Sequence, residues 1–473
     1  MSGVRSTRPL VEAFRRVVAR DAAAPLIVSP TRSCSAGEIS DLARAVEGRL
    51  FEKAIEPEHV VALMAPNGAG FVAGLLGLRR RGVAALLIDH RTPPREVTRI
   101  VDRLGCGGVL RCPTAWPEGV DAFELETTAT GEPRRSEAAV IKLSSGSTGM
   151  PRGIATGAEA LIADDAQLSR SMDIDDTDRL LATVPFSHSY GLSSLVLPLV
   201  ARGTVLVLPD SATPFDPLLA AIDCAATIFP TVPAYVAGLL RIGDPPPIPK
   251  SLRRIITAGA PLTAETAARF RERFDRSVHV FYGASECGGI CYDREGGGAE
   301  RGTVGEPVEG VTVRIEELDP DSPGEGGRVV VASPSVASGY FPESDDKLSG
   351  GRYRTDDLAV WHDGSLALVG RINDIINVKG RKVNPREVEK ILAELPTVEE
   401  VRVLGIAGPR SDGQRVRAVI ACRPGSLAAD EVLGWCRGRL SDYKIPRSVV
   451  LVERIPRTDR GKVDVAALAQ LRS

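Results

Sequence analysis

The hydrophobic residues in the first part of the chain follow two spacings that take turns. Residues 37–50, 69–81 and 95–104 carry apolar side chains at intervals of three and four, which predicts amphipathic or buried helices. Residues 60–64 and 83–87 are short apolar runs typical of buried strands. Strands that take turns with helices favour a parallel sheet covered by helices, so this region is predicted to be α/β.

The same rhythm resumes after a strand at 138–141 and continues to about residue 285, with no repeat of fixed period. We therefore predict two helix-flanked sheets within one large domain. The predicted strands are 180–184, 204–208, 226–229, 254–257 and 278–282, and the helices between them are 158–171, 192–201, 217–223, 234–240 and 264–274.

The pattern changes twice in the last third of the chain. Short alternating strands predict a small β-barrel-like subdomain between 302 and 370. Beyond it, Asn384 as N-cap and Pro385 at the first helical position begin a small α+β domain. The boundary is placed near Asn373, which gives an N-terminal domain 1–372 and a mobile C-terminal domain 373–473. The predicted strands are 311–315, 328–331, 366–368, 401–406, 417–421 and 449–452, and the predicted helix is 427–439.

Composition excludes several classes of partner. With 59 basic and 61 acidic residues among 473, the charge nearly cancels and no nucleic acid or anionic membrane is expected. No apolar run reaches the roughly 18 residues of a membrane span. The Arg-rich start is predicted to be an amphipathic helix with Val11, Phe14, Val17 and Val18 inward, and not a targeting signal. The eight cysteines form no C-x-x-C pair, so free thiols in a cytoplasmic protein are expected.

One polar segment, residues 144–153, directly follows a predicted strand and is rich in glycine and hydroxyl groups. Glycines allow the backbone to approach a ligand, and free N–H and O–H groups suit a polyphosphate. It is not a Walker loop, because Gly149 is followed by Met150 and Pro151. A flexible surface loop is the alternative.

Four further polar stretches lie next to predicted strands or near the C-terminus, and each has a plain structural alternative. His188 lies where α/β folds bind ligands, or is an ordinary turn histidine. Glu286 is a candidate Mg²⁺ ligand, or an acid at a helix start. Asp357 could accept from ribose hydroxyls, and Lys462 lies in a basic glycine-containing loop; solvated turns are the alternative for both.

Taken in order, these stretches resemble the adenylate-forming superfamily of acyl- and aryl-CoA synthetases, peptide-synthetase adenylation domains and luciferases. The resemblance covers nearly the whole chain, from the first helix to Lys462. It rests on motifs at 144–153, 259–262, 282–286, 353–357, 370–374 and 456–462.

The resemblance implies a two-step reaction. A carboxylate attacks the α-phosphorus of ATP to give an acyl-adenylate and pyrophosphate, and a thiol, usually that of coenzyme A, then displaces AMP. Lys462 would bridge the carboxylate and the α-phosphate, His188 would gate the acid, and Glu286 would hold Mg²⁺. The implied nucleotide-binding residues are Ser144, Ser145, Gly146, Ser147, Thr148, Gly149, Arg152, Gly259, Ala260, Pro261, Tyr282, Gly283, Ser285, Asp357 and Arg371.

Four positions depart from the family pattern. Arg152 replaces the loop lysine and keeps the charge with a fork geometry. Ser285 replaces threonine and keeps the hydroxyl. Asp356 adds a carboxylate beside the predicted ribose site, which would weaken ATP binding slightly. Asn373 occupies the hinge position where aspartate or lysine is usual, and asparagine tolerates unusual backbone angles.

The absence of an acidic residue in 185–191 narrows the range of candidate substrates. Residues 185–191 contain no acid to pair with an amino acid's ammonium group, whose burial without a partner is costly. No carrier domain follows Lys462, so a stand-alone CoA ligase for a fatty or other apolar acid is predicted. The alternatives are loading of a separate acyl-carrier protein, or nucleotide binding without ligase activity. The expected pocket walls are mostly small: His188, Tyr190, Ser194, Thr231, Ala258, Gly283, Ala284, Gly288 and Gly289.

Overall fold

The computed structural model describes residues 8–128, 132–144, 152–211, 213–317, 326–343, 345–378, 381–407, 414–440, 442–457 and 463–471. The chain divides into two compact units. The first comprises residues 1–313, 331–354 and 362–366, and the second comprises residues 314–330, 355–361 and 367–473. Within the described ranges, no helix is both long and apolar enough to cross a membrane.

The helices have the following bounds. They are α1 (Pro9–Arg20), α2 (Ala36–Glu52), α3 (Ala69–Arg81), α4 (Pro94–Leu104), α5 (Ala158–Met172), α6 (Ser189–Gly191), α7 (Leu197–Arg202), α8 (Asp216–Asp223), α9 (Pro233–Arg241), α10 (Ala264–Phe274), α11 (Gly298–Arg301), α12 (Pro385–Ala393), α13 (Ala429–Cys436) and α14 (Val465–Gln470). A π-helical turn, Leu192–Val196, joins α6 to α7, and single 3-10 turns lie at Val120–Ala122 and Ile372–Asp374.

The strands are numbered in the same way. They are β1 (Pro25–Val28), β2 (Ser33–Ser35), β3 (Val60–Met64), β4 (Ala84–Leu87), β5 (Gly108–Arg111), β6 (Glu124–Thr127), β7 (Val140–Ser144), β8 (Arg152–Thr156), β9 (Arg179–Leu181), β10 (Val205–Val207), β11 (Ile228–Thr231), β12 (Arg254–Thr257), β13 (Val278–Ala284), β14 (Gly288–Tyr292), β15 (Glu306–Pro307), β16 (Thr312–Glu316), β17 (Gly327–Ala332), β18 (Gly339–Phe341), β19 (Leu348–Ser349), β20 (Arg352–His362), β21 (Ser365–Arg371), β22 (Ile376–Val378), β23 (Arg381–Val383), β24 (Glu400–Ala407), β25 (Gln414–Ala421) and β26 (Ser448–Val452).

Two large sheets form the centre of the first unit, as predicted. The nine-stranded sheet has the order β15-β14-β13-β12-β11-β9-β10-β1-β2, and the seven-stranded sheet has the order β18-β8-β7-β4-β3-β5-β6. The inner strands pair in parallel, and antiparallel strands close the edges. Parallel strands need covering on both faces, which explains why their sequences are continuously apolar.

The β-rich segment forms an open five-stranded sheet in the order β16-β17-β20-β19, with β21 also paired to β20. The described strands do not close into a barrel, because β16 and β19 each pair on one side only. The predicted mixed α/β fold class is otherwise confirmed.

The C-terminal part of the second unit has its own core. Strand β25 pairs antiparallel with β24 and parallel with β26. Helices α12 and α13 bury Val388, Leu392 and Val432 against this sheet. The Asn384 side chain accepts a hydrogen bond from the Arg386 N–H, as expected for the N-cap of α12. A compact unit with a separate apolar core matches the predicted α+β domain.

Most predicted elements are confirmed, and one difference bears on the site. Strand β9 ends at Leu181, three residues before the predicted end. Beyond it, the Asn67 amide donates to the carbonyls of Ala182 (3.2 Å) and Val184 (2.9 Å). A side chain therefore takes carbonyl groups that a longer strand would have offered to a neighbouring strand.

Candidate active site

The carboxyl ends of the parallel strands in the nine-stranded sheet bring several predicted residues to one edge. Thr231 is the last residue of β11 and pairs in register with Thr257, the last residue of β12. Thr231 and Ala258 are buried, whereas the predicted adenine-side residues Gly259, Ala260 and Pro261 are exposed just beyond them. Ligands of open α/β sheets bind at this edge.

Residues 185–191, which include His188, are held at the same edge of the sheet by a backbone turn that requires glycine at position 191. The Phe186 N–H donates to the Asn67 side chain at 2.8 Å, so Asn67 holds both ends of the turn before His188. His188 is the N-cap of a helical run over 189–202. A side chain at Gly191 would lie 2.1 Å from the Pro185 carbonyl oxygen, which only glycine avoids. The π-helical turn that follows is a feature often found at functional sites.

An acid that the sequence analysis did not identify lies beside His188. Asp89, just beyond β4, has its Oδ2 3.7 Å from His188 Nε2. Arg91 donates to both Asp89 oxygens, with Nε at 3.2 Å and Nη2 at 3.0 Å. Burial raises the pKa of Asp89, but the hydrogen bonds from Arg91 outweigh it, and the pKa falls to about 2. Asp89 is therefore an ionised partner already neutralised by a guanidinium group.

Two hydrogen bonds connect the helical run that follows His188 to the neighbouring strands. Ser189 Oγ donates to Ser285 Oγ at 2.7 Å, and the Tyr190 hydroxyl donates to the Ile256 carbonyl at 2.9 Å. The Tyr190 ring lies 5.7 Å from the Phe281 ring, and burial raises the pKa of Tyr190. The structure thus brings Tyr190 and Ser285 to the ends of these strands. It also shows that the serine at 285 keeps a hydroxyl contact in place of the usual threonine.

Glu286 lies in the connection between β13 and β14, half-buried. Its Oε1 accepts a hydrogen bond from the Tyr340 hydroxyl at 3.1 Å. Its main-chain carbonyl accepts from the Ala337 N–H at 2.8 Å, so both its backbone and its side chain are positioned. Among the described residues, no group of three or more potential metal-ligating side chains occurs. A single carboxylate still fits Mg²⁺, which keeps several waters and binds substrate phosphates.

Arg152, at the end of the glycine-rich segment, is the first residue of β8. Its Nη1 lies 3.2 Å from Asp345 Oδ2, and its guanidinium lies 4.0 Å above the centre of the Tyr340 ring. The main-chain pairing of Ser144 with Arg152 places the two ends of the predicted phosphate loop side by side. The lysine-to-arginine departure therefore gives a planar group that stacks as well as pairs.

A buried polar group lies behind the predicted pocket walls Gly288 and Gly289. Asp164 Oδ1 accepts from the Gly289 N–H at 3.0 Å, and Asp164 Oδ2 accepts from Ser193 Oγ at 2.5 Å. Burial raises the pKa of Asp164, and these hydrogen bonds oppose the shift. Lys142 is buried nearby; burial lowers its pKa, and the carboxylates of Asp164 and Glu286 oppose that change. The interior behind the walls is more polar than the sequence predicts.

Asp357 and Arg371 both belong to the second unit. Arg371 Nε lies 2.7 Å from Asp357 Oδ1, so the predicted ribose-side pair is in contact. The Asp357 N–H donates to Thr355 Oγ1 at 3.0 Å, which fixes the strand around the carboxylate. Further predicted residues have simple positions: Tyr282 and Ser194 are buried, Gly283 is exposed, and Ala284 is half-buried. The predicted residues Ser145, Gly146, Ser147, Thr148, Gly149 and Lys462 lie outside the described residues.

Family models of two parts of an enzyme match this chain. The "AMP-binding enzyme" model matches residues 14–341, and the "AMP-binding enzyme C-terminal domain" model matches residues 387–462. The chain belongs to the AMP-binding enzyme family. Membership of the adenylate-forming superfamily, of the acyl- and aryl-CoA synthetase type, is thereby confirmed.

Individual members of the AMP-binding enzyme family resemble the chain over most of its length. A feruloyl-CoA synthase from Amycolatopsis sp. is 29% identical over 437 residues, which cover 86% of this chain and 88% of that protein. A CoA ligase from Mycobacterium tuberculosis, named for an indane-type propanoyl acid, is 25% identical over 517 residues, 99% of this chain and 100% of that protein. An o-succinylbenzoate CoA synthetase structure from Bacillus subtilis, with its acyl-adenylate intermediate, has a TM-score of 0.81 at 23% identity, covering 97% of this chain and 98% of that one.

Sequence motifs of the AMP-binding enzymes identified the residues at strand ends but not their partners. Asp89, Asp164, Tyr340 and Asp345 contact predicted residues that lie 54 to 193 residues away along the chain. Asp89 begins the polar run 89–92 just beyond β4, and Asp345 lies in the polar run 343–347, so the sequence offered a signal for both. Asp164 lies inside helix α5 and Tyr340 lies in the short strand β18, and neither has such a signal.

Proposed function

We propose that this protein activates a carboxylic acid with ATP to form an acyl-adenylate and pyrophosphate, and then transfers the acyl group to the thiol of coenzyme A with release of AMP. The observation that carries the proposal is the placement of His188, Tyr190, Ser285 and Glu286 around the carboxyl edge of the nine-stranded sheet. The names of the relatives, which are CoA synthases and ligases, support the same reaction.

Each group of residues in the proposed site has a distinct task. The segment 144–149 and Arg152 would hold the β- and γ-phosphates, while Gly259, Ala260, Pro261, Tyr282 and Gly283 would hold the adenine side. Asp357, oriented by Arg371, would accept from the ribose hydroxyls. Lys462 would stabilise the charge that develops as the carboxylate attacks. Glu286 would hold Mg²⁺, which when bound neutralises charge on the phosphate oxygens.

The acid would enter past His188 towards walls made of Tyr190, Thr231, Ala258 and Gly289. An amino acid remains a poor substrate in this proposal, because Asp89 near His188 is already paired with Arg91. Small and apolar wall residues accommodate an aliphatic chain or an aromatic ring.

The test is ATP–pyrophosphate exchange with the purified protein across a panel of fatty, aryl and dicarboxylic acids. Exchange with at least one acid is expected, and absence of exchange with every acid would indicate a nucleotide-binding protein without ligase activity. The active acid is then offered with coenzyme A and, separately, with a phosphopantetheinylated carrier protein. Thioester formation with the carrier protein but not with coenzyme A would show that the carrier protein is the acceptor.

A further inference from the structure

Tyr340 lies between two charged residues of the proposed nucleotide site, and it belongs to none of the sequence motifs. It is the middle residue of β18, which pairs antiparallel with β8, and Tyr340 pairs with Ile154. Arg152 is two residues from Ile154 on the same strand, so it occupies the diagonal position relative to Tyr340. Diagonal neighbours on a sheet are within reach of long side chains.

The two ends of the Tyr340 side chain have different partners. Its ring face carries the Arg152 guanidinium at 4.0 Å from the ring centre, a distance at which cation–π attraction is strong. Its hydroxyl donates to Glu286 Oε1 at 3.1 Å.

The surroundings hold this arrangement in place on both sides. Asp345 pairs with Arg152 at 3.2 Å, and Asp345 itself accepts from the Lys347 N–H at 2.9 Å. The main-chain hydrogen bond from Ala337 to Glu286 ties the segment before β18 to the loop that carries the carboxylate. Tyr340 therefore sits on a segment whose position relative to Glu286 is already fixed.

We infer that Tyr340 is a positioning residue that orients Glu286 for Mg²⁺ and connects it, through the stacked Arg152, to the exit of the phosphate loop. With Oε1 committed to the tyrosine hydroxyl, the rotation of the carboxylate is restricted before the ion binds. Preorganised ligands lose less conformational freedom on binding. The inference rests on the proposed function, because it needs Glu286 to serve as the Mg²⁺ ligand.

The experiment is calorimetric titration of ATP into the full-length protein at a series of Mg²⁺ concentrations, with no acid present. Tyr340→Phe keeps the ring beneath Arg152 and removes only the hydroxyl. We expect the Mg²⁺ concentration at half-maximal ATP binding to rise about tenfold, which corresponds to about 1.4 kcal/mol. Tyr340→His, which keeps a planar ring and an N–H donor, should recover part of that loss.

Tyr235→Phe is the matched control, because its hydroxyl donates to a main-chain carbonyl, that of Pro214, at 2.9 Å. It should leave the Mg²⁺ dependence unchanged. Equal Mg²⁺ midpoints for wild type, Tyr340→Phe and control would overturn the inference, as would a Tyr340→Phe protein that loses its Mg²⁺ response only by unfolding, judged from its melting temperature. A wild-type protein that binds no ATP at any Mg²⁺ concentration would instead refute the proposed function.

Discussion

At the scale of single residues, two adjacent serines differ sharply in their surroundings. Ser193 and Ser194 lie side by side in the π-helical turn and both are buried. Ser193 donates to the buried Asp164 carboxylate, whereas Ser194 Oγ has no hydrogen-bond partner within the described residues. A buried hydroxyl without a partner costs free energy unless a ligand satisfies it.

The pair gives a prediction on stability. Ser193→Ala should lower the free energy of unfolding by about 1–3 kcal/mol, because it leaves a buried carboxylate short of a donor. Ser194→Ala should change it by less than about 0.5 kcal/mol or stabilise the protein, because no bond is lost. Urea titrations of the two variants measure both values. Equal destabilisation by the two substitutions would contradict the difference in partnering.

The same serine gives a prediction on substrate choice. If the acid carries a polar group that meets Ser194, Ser194→Ala should raise the KM for that acid about tenfold, since one hydrogen bond within a closed pocket is lost. For a purely apolar acid of the same length, the KM should be unchanged or lower. Pyrophosphate exchange with such a matched pair of acids measures the ratio. An equal effect on both acids would place Ser194 outside the acid pocket.

At the scale of elements, the β13–β14 hairpin depends on one glycine. Gly288 has φ +72°, and a Cβ there would lie 2.2 Å from Asp164 Oδ1. The hairpin thus folds back tightly over the carboxylate that accepts from Gly289. Gly259 has a similar φ of +84°, but no atom within 4 Å of the position of a Cβ.

Comparison of alanine at these two glycines separates backbone strain from steric overlap. Gly259→Ala should cost about 1–2 kcal/mol of unfolding free energy from the left-handed conformation alone. Gly288→Ala should cost at least about 1 kcal/mol more, because the Asp164 carboxylate must also move. Thermal and urea unfolding of both variants check the difference. Similar losses would show that α5 yields to the added methyl group without cost.

The elements predicted from the sequence were those with strong periodicity. The bounds of β3, α3, β12 and α10 are the predicted ones, because each is an uninterrupted apolar or amphipathic run. Strands β1, β2 and β14 were not predicted. A proline begins β1, three polar or small residues form β2, and two glycines begin β14, so none shows the expected pattern.

The contacts within the site could be predicted only in part from the sequence. Motifs reveal which residues gather at strand ends, because parallel topology places those ends together. They do not reveal which distant side chain meets them. Glu286 and Tyr340 are 54 residues apart along the chain, and Asp89 and His188 are 99 apart, with contacts set by the packing of separate elements.

At the scale of the whole molecule, folding stability should depend on pH through a buried histidine. His279 is buried, its Nδ1 lies 2.8 Å from the Asp293 carbonyl, and its ring stacks on Tyr292. Burial is the main cause that lowers the pKa of His279; Arg254 adds to the shift and Asp293 opposes it. The folded protein therefore disfavours the imidazolium form.

The sign of the effect follows from this shift. Above about pH 6.5 both states hold a neutral imidazole, so the stabilisation is complete. As the pH falls below that value, the unfolded chain takes up the proton first, and stability decreases by at most about 1.4 kcal/mol per pH unit. His279→Asn should flatten urea-unfolding free energies measured between pH 7.5 and 5. The control His362→Asn, at an exposed position, should keep the wild-type slope; an unchanged slope in His279→Asn would assign the effect elsewhere.

The division of the chain into two units raises the question of which half-reaction each serves. In the proposed mechanism Lys462, on the second unit, acts only while the adenylate forms. Lys462→Ala should then slow adenylate formation by about a hundredfold or more, as expected when a charge-stabilising group is removed. The rate of thioester formation from a supplied acyl-adenylate and coenzyme A should stay within a fewfold of the wild-type rate.

Lys390→Ala, at an exposed position on α12, is the matched control. Equal loss in both half-reactions would mean that Lys462 acts throughout the cycle, and the prediction of a mobile domain 373–473 would then be wrong.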